Sequence, residues 1–299
     1  MIGFVAPSVQ CRWHPDDRRH LVRLATWNLW WKFGPWESRQ HPIAVEIDRV
    51  DADVMCLQEV WADEDHDQAE VLAASAGRHM ARTRSVDGVA HRFGNAVLSR
   101  WPIIQHHTIV LPGADGEPSH RSALFCQIDV PEAPHPWWVV STHLEWRYSA
   151  SVLRQRQLEC IVTECARVQA LAPDTIVAIG GDFNAVAESD EIRRLTGLST
   201  PYSDTLIFTD GWAAVTDDPG HTWSRENPHS SNAQWPRRRL DAVFVSWPRP
   251  KPTGNPIGAE LFGLDPLPIG DGDAGVVPSD HYGVVVEIDR RTAADLEVR

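Results

Sequence analysis

Six apolar runs in this 299-residue chain each meet a polar, chemically capable residue at one end. Leu24-Ala25-Thr26-Trp27 stops at Asn28, Val54-Met55-Cys56-Leu57 at Gln58-Glu59, and Val139-Val140-Ser141-Thr142 at His143. Ile176-Val177-Ala178-Ile179 passes through two glycines to Asp182, with Asn184 two residues on. The last two runs begin beside their polar group: Asp241 opens 241–245, and Asp280-His281 precede 284–288. Short apolar runs rich in β-branched residues read as buried strands. Strands that stop where a charge appears aim that charge at a shared edge of a sheet. Because the polar ends lie between positions 28 and 281, one site built from them needs both halves of the chain folded together. The expectation is therefore a single catalytic domain over 20–290, with 1–19 and 291–299 as terminal extensions.

Between the strands lie helical patterns, which places the chain in the α/β (α+β) class. The clearest is 151–171, where Leu158, Ile161, Val162, Cys165 and Val168 form one stripe ended by Pro173. Spacing also predicts helices over 42–50 and over 63–76, the latter with acids in its first turn and Gly77 as its stop. Residues 94–99 and 123–130 read as further strands. Residues 30–36 read as an aromatic loop, 248–278, rich in Pro and Gly, as a long surface loop with at most short elements, and 290–299 as a polar tail or frayed helix.

Charge narrows the partners. With 28 basic and 41 acidic residues the formal charge is −13, against the broad basic footprint of most duplex-binding proteins. Local basic groups remain, notably Arg237-Arg238-Arg239 and Arg154 with Arg156. Five scattered cysteines without CxxC spacing offer neither a disulfide framework nor a thiolate zinc site, and Cys56 reads as a small buried hydrophobe. No run approaches a transmembrane segment and no leader is evident, so a cytoplasmic protein without an obligate protein partner is expected.

The polar strand ends supply four carboxylates (Glu59, Asp182, Asp241, Asp280), two amides (Asn28, Asn184) and two imidazoles (His143, His281). Carboxylate and amide oxygens suit hard cations such as Mg²⁺ or Mn²⁺. A hard cation beside imidazoles fits hydrolysis of a phosphoester. In extended chain Asp182 and Asn184 would share a side while Phe183 turns into packing, and Asp280 and His281 would face opposite ways. Taken singly, His143 reads equally as a core histidine, Asn28 as a turn-former and Asp182 as a helix cap.

Together, Thr26-Trp27-Asn28, Leu57-Gln58-Glu59-Val60, Ser141-Thr142-His143-Leu144, Gly181-Asp182-Phe183-Asn184, Arg239-Leu240-Asp241 and Ser279-Asp280-His281 resemble, in order, the motif set of the endonuclease/exonuclease/phosphatase superfamily. The resemblance covers 24–288. It implies a DNase I-like four-layer sandwich, two packed mixed β-sheets flanked by helices. It also implies Mg²⁺- or Mn²⁺-dependent attack of water on a phosphoester, more readily a diester, in nucleic acid, phospholipid or a small molecule. By the same resemblance Glu59, Asn28 and Asp280 hold the metal, and Asp182 and Asn184 handle the attacking water. His281, oriented by Asp241, and His143 flank the phosphate. The rival is a phosphate-binding protein that kept the fold and lost catalysis. It predicts gaps among these positions, and the set has none.

Three softer substrate contacts complete the expectation. Arg121 sits where family members often carry a phosphate-touching base, Arg154 lies one turn into the 151–171 helix, and Trp223 lies in Gly220-His221-Thr222-Trp223-Ser224. Arg121 and Arg154 read equally as surface residues, and Trp223 as core. No acid is clearly placed to partner His143; Asp87 is the one suggestion.

Overall fold

The computed structural model describes residues 17–83, 93–114, 120–232, 235–247, 252–269 and 275–296. After a short 3-10 turn (Asp17–His20) come β1 (Leu21–Asn28), α1 (Trp36–Val50), β2 (Val54–Trp61), α2 (Gln68–Ser75), β3 (His79–Arg82), β4 (Phe93–Ser99), β5 (Ile103–Val110) and β6 (Ser122–Ile128). Then follow β7 (Trp137–His143), α3 (Ser151–Leu171), β8 (Val177–Asp182), α4 (Asp190–Leu195), β9 (Ile207–Asp210), β10 (Asp241–Trp247), β11 (Pro256–Phe262), β12 (Gly283–Asp289) and α5 (Ala293–Leu296). The strands form two six-stranded mixed sheets, ordered β11-β12-β1-β2-β4-β3 and β5-β6-β7-β8-β10-β9. Each is built around one parallel pair joined by a helix, β1 with β2 through α1 and β7 with β8 through α3.

Three apolar layers account for the stacking. Val22, Leu24, Cys56, Leu124, Val139, Ala178, Val243 and Val286 fill the space between the sheets. Leu158, Ile161, Val162, Cys165 and Val168, the predicted stripe of α3, cover the outer face of the second sheet. Ile43, Ile47 and Val50 of α1, with Leu72 of α2, cover the first. The result is the expected helix–sheet–sheet–helix sandwich. No helix among the described residues is long and apolar enough to cross a membrane.

Three local expectations are corrected. The 63–76 segment is helical only from Gln68, because the Asp63 carboxylate accepts from the backbone N–H groups of Asp65 and His66 and closes a turn. Asp67 then caps the helix through Ala69 N–H. Helix α1 starts at Trp36, well before Pro42, which reads as a first-turn residue but is buried in the helix interior. Bonds from Arg39 anchor that earlier turn. Within 248–278, β11 adds an edge strand; its proline is the first strand residue, where a missing N–H is tolerated.

At Gly180 the two sheets approach with no side chain on the second one. A Cβ on Gly180 would lie 2.9 Å from Cys56 Sγ and 3.3 Å from Thr26 Cβ, both on the opposite sheet. Gly180→Ala should lower unfolding stability by about 1–3 kcal/mol through overpacking, read by urea or thermal denaturation. A variant as stable as the parent would show that the sheets part freely here.

Candidate active site

The polar strand ends meet where the sheets come together. Alternation along β2 puts Cys56 and Gln58 between the sheets and would send Glu59 outward with Leu57. Instead the pairing with β4 slips between Leu57 and Val60, and Glu59 adopts φ +55°. This bulge brings Glu59 round to the sheet edge, a left-handed conformation held at a polar cluster. Asn28 then joins the sheets: its amide nitrogen donates to Glu59 Oε1 at 3.3 Å and to Asp182 Oδ2 at 3.0 Å. Behind it Thr26 donates to Gln58 Oε1, and Gln58 donates to Ser141 Oγ, a buried polar bridge between β1, β2 and β7.

Asp182 Oδ2 is the hub. Besides Asn28, it faces His143 Nε2 at 3.5 Å and His281 Nε2 at 3.9 Å. His281 is held from behind by a 2.7 Å bond between its Nδ1 and Asp241 Oδ2. The two imidazoles have opposite tendencies. Burial works against the charged form of His281, but Asp241, Asp182 and Asp280 outweigh it and raise its pKa well above the usual value. Burial, helped by the charges of Arg121 and His281, drives the pKa of His143 well below the usual value. The site therefore holds one imidazolium and one neutral imidazole.

The carboxylates are crowded. Burial and the neighbouring Asp280 push Glu59 up to about 7. Burial also raises Asp280, and burial with Asp241 raises Asp182. Glu59 Oε2 and Asp280 Oδ1 are buried with no hydrogen-bond partner among the described residues. Two orphaned acid oxygens that repel each other are the donor set a hard divalent cation fits. Asp182, Asp241 and His281 offer a second group, with atoms within 4.8 Å of one another. There the Asp241–His281 bond already occupies one atom of each.

Several residues depart from expectation. Asn28 turns its amide nitrogen to the acids, and its amide oxygen accepts the Trp30 backbone N–H at 2.9 Å. Asn184 is not in extended chain: at φ +49° it turns back, and its N–H donates to Asp182 Oδ1. Phe183 packs into the core as expected. Arg154 is buried and spent, bonded to Glu191 and to the carbonyls of Glu145 and Arg147, so it reaches no substrate. Arg121 lines a cleft of about 240 Å³ with His120, Glu145 and Trp146. Trp223 lines another of about 260 Å³ with Asn184, Arg238 and His281. Asp87 lies outside the described residues.

Two positioning residues were not among the expected site residues, although Thr222 lies in the 220–224 segment. Thr222 Oγ1 accepts from the Leu240 and Asp241 N–H groups while its carbonyl accepts from Tyr282, tying Asp241 to His281. Arg39, buried in α1, donates to the carbonyls of Leu29, Trp30, Trp31, Phe33 and Pro278. It thereby clamps the loop after Asn28 to the segment before Asp280. An arginine inside a helical pattern gives no sign of five carbonyl partners far from its own turn; the five carbonyls belong to loops.

With this geometry in view, comparison with known proteins is decisive. Residues 25–281 match the Endonuclease/Exonuclease/phosphatase family. The chain belongs to that family. Protein angel of Drosophila melanogaster is 26% identical over 182 residues, 58% of this chain and 51% of its own length. Tyrosyl-DNA phosphodiesterase 2 of Gallus gallus is 24% identical over 277 residues, 89% of this chain and 66% of its own length. The chain thus spans between about half and two thirds of these relatives. Among solved structures, truncated TDP2 of Caenorhabditis elegans superposes with a TM-score of 0.71 at 20% identity, covering 92% of this chain and 99% of that one.

If Arg39 is the clamp, Arg39→Met should cost at least about 3 kcal/mol in urea unfolding, because buried carbonyls lose their donors. Arg39→Lys should recover little, since an ammonium cannot reproduce the planar fork. A lysine variant with parental stability would show that charge alone suffices.

Proposed function

We propose that residues 20–290 form one divalent-metal-dependent phosphodiesterase domain in which water attacks phosphorus in line and no phosphoenzyme forms. The observation that supports it most is the arrangement around Asp182 Oδ2, a carboxylate of raised pKa between a neutral and a protonated imidazole. A carboxylate held above its ordinary range is the better proton acceptor near neutral pH. Asp182 takes a proton from the water, and Asn184, beside it, orients that water or a phosphoryl oxygen.

His281, kept cationic by Asp241, stabilises the negative charge that builds on the phosphoryl oxygens, and the neutral His143 donates a hydrogen bond to them. The ester P–O bond breaks as the new one forms, and the leaving oxygen ends protonated. Glu59 and Asp280 would hold Mg²⁺, or Mn²⁺ in its place, with Asn28 bridging Glu59 to Asp182. The bound ion supplies Lewis-acid stabilisation of the same developing charge.

A diester is favoured over a monoester because clefts open on both sides of Trp146. One reaches Arg121 and the other His281, room for two ester arms. The names of two relatives, tyrosyl-DNA phosphodiesterase 2 and the sphingomyelinase C of Listeria ivanovii, agree with diester chemistry. They leave nucleic acid and phospholipid both in play.

The test is hydrolysis of bis-p-nitrophenyl phosphate with Mg²⁺ or Mn²⁺. EDTA should abolish turnover and restored metal should recover it. Asp182→Ala should lower kcat by on the order of 10²–10⁴-fold, the range of a lost general base, and Asp241→Asn by about 10²-fold through the weakened imidazolium. Turnover that survives EDTA, or an Asp182→Ala enzyme as fast as the parent, removes the proposal.

A further inference from the structure

The run Arg237-Arg238-Arg239 is split by its neighbours. Arg237 pairs with Glu226, and Arg239 holds Asp210 through two nitrogens at 2.9 and 2.8 Å. Arg238 has no carboxylate partner among the described residues. Its guanidinium lies 4.8 Å from the Tyr148 ring centroid and 5.5 Å from that of Trp235. Those two rings stack, 4.9 Å apart and 12° from parallel, and Tyr148 and Trp235 are 65% and 50% exposed. Across the cleft Trp146 is 64% exposed, and the same cleft reaches Asn184 and His281.

Large aromatic rings are seldom left this exposed together without a ligand to cover them. The cluster is also fixed in place. Arg238 and Trp223 exchange both backbone hydrogen bonds, at 2.9 Å each. Trp223 follows Thr222, the residue that ties Asp241 to His281. Arg238 is thus tied through Trp223 and Thr222 to the segments that carry Asp241 and His281.

Resting on the diesterase reading above, we propose that Tyr148, Trp235, Trp146 and Arg238 form a subsite that stacks a flat uncharged ring and neutralises the anionic phosphate beside it. The site accordingly takes a nucleotide unit rather than a cationic lipid headgroup. Rings this exposed next to the reacting phosphate suit a nucleobase, since every base presents a π-face and stacking tolerates any sequence. A quaternary ammonium would seek the same ring faces, but the Arg238 cation already lies over them and repels a second positive charge. With a formal charge of −13 over the whole chain, one uncompensated arginine supports a short single-stranded end and not a long duplex.

Two readouts test this. A deoxydinucleotide carrying 2-aminopurine should lose fluorescence on binding to the full chain, and excess phosphocholine should not displace it. Tyr148→Leu, Trp235→Leu and Arg238→Gln should each weaken that binding by on the order of tenfold, with the quench reduced in the aromatic variants. In turnover of thymidine 5′-(p-nitrophenyl phosphate) the same variants should raise KM far more than they lower kcat. Their effect on methyl p-nitrophenyl phosphate, which carries no base, should be smaller. Binding without quench, displacement by phosphocholine, or variants that bind like the parent would overturn the subsite. Absence of hydrolysis with any metal would instead remove the diesterase reading, and the 2-aminopurine signal would still decide this one. Tyr148 and Trp235 are exposed and Arg238 is half-buried, so unchanged thermal melts will separate lost binding from lost fold.

Discussion

Everything at this site depends on how near the two sheets come at the ends of β1 and β8. A backbone without a side chain at Gly180 lets Thr26 and Cys56 approach, and only at that spacing does the Asn28 amide span from Glu59 on one sheet to Asp182 on the other. Glu59, Asn28 and Asp280 come from the first sheet or its loops, Asp182, His143 and Asp241 from the second. A wider gap would leave two half-sites. The polar bridge of Thr26, Gln58 and Ser141 keeps that gap from closing dry, because groups buried there must find partners.

That closeness has an electrostatic consequence. Burial, with the charge of acidic neighbours, raises the pKa of Glu59, Asp182 and Asp280 in one corner. On one side Asp241 and its neighbours keep His281 charged. On the other, His143, beside Arg121, stays neutral, so the corner has a built-in gradient from cationic to neutral donor. Glu59 Oε2 and Asp280 Oδ1 are left without hydrogen-bond partners among the described residues. On the proposed function, proton handling and cation holding would fall to different carboxylates because of their surroundings and not their residue type.

Much of this was legible in the order of residues. Every strand that ends in a motif was readable, because buried strands are continuous apolar runs and their ends are marked by charge. The α3 stripe was readable for the same reason, from its period. What escaped was of two kinds. Conformations that break the period were invisible: the Glu59 bulge and the turn at Asn184 reverse where alternation sends a side chain. Pairings between distant segments were the other. Arg154 and Arg238 are both arginines near the site, and only the position of Glu191 makes one a structural tie while the other stays uncompensated. Edge strands such as β5, with Gln105, His106 and His107, lack a two-sided core and so lack a signal.

Strand β1 lies between β2 and β12, so one flank of its backbone is satisfied early and the other only by residues 284–289. On a ribosome adding about 5–20 residues per second, the chain between Asn28 and His281 takes tens of seconds to emerge. Late in that interval the nascent protein carries Glu59, His143 and Asp182 but neither His281 nor the segment that Arg39 clamps to the loop. A site gathered in this way stays incomplete until the last strand closes the sheet.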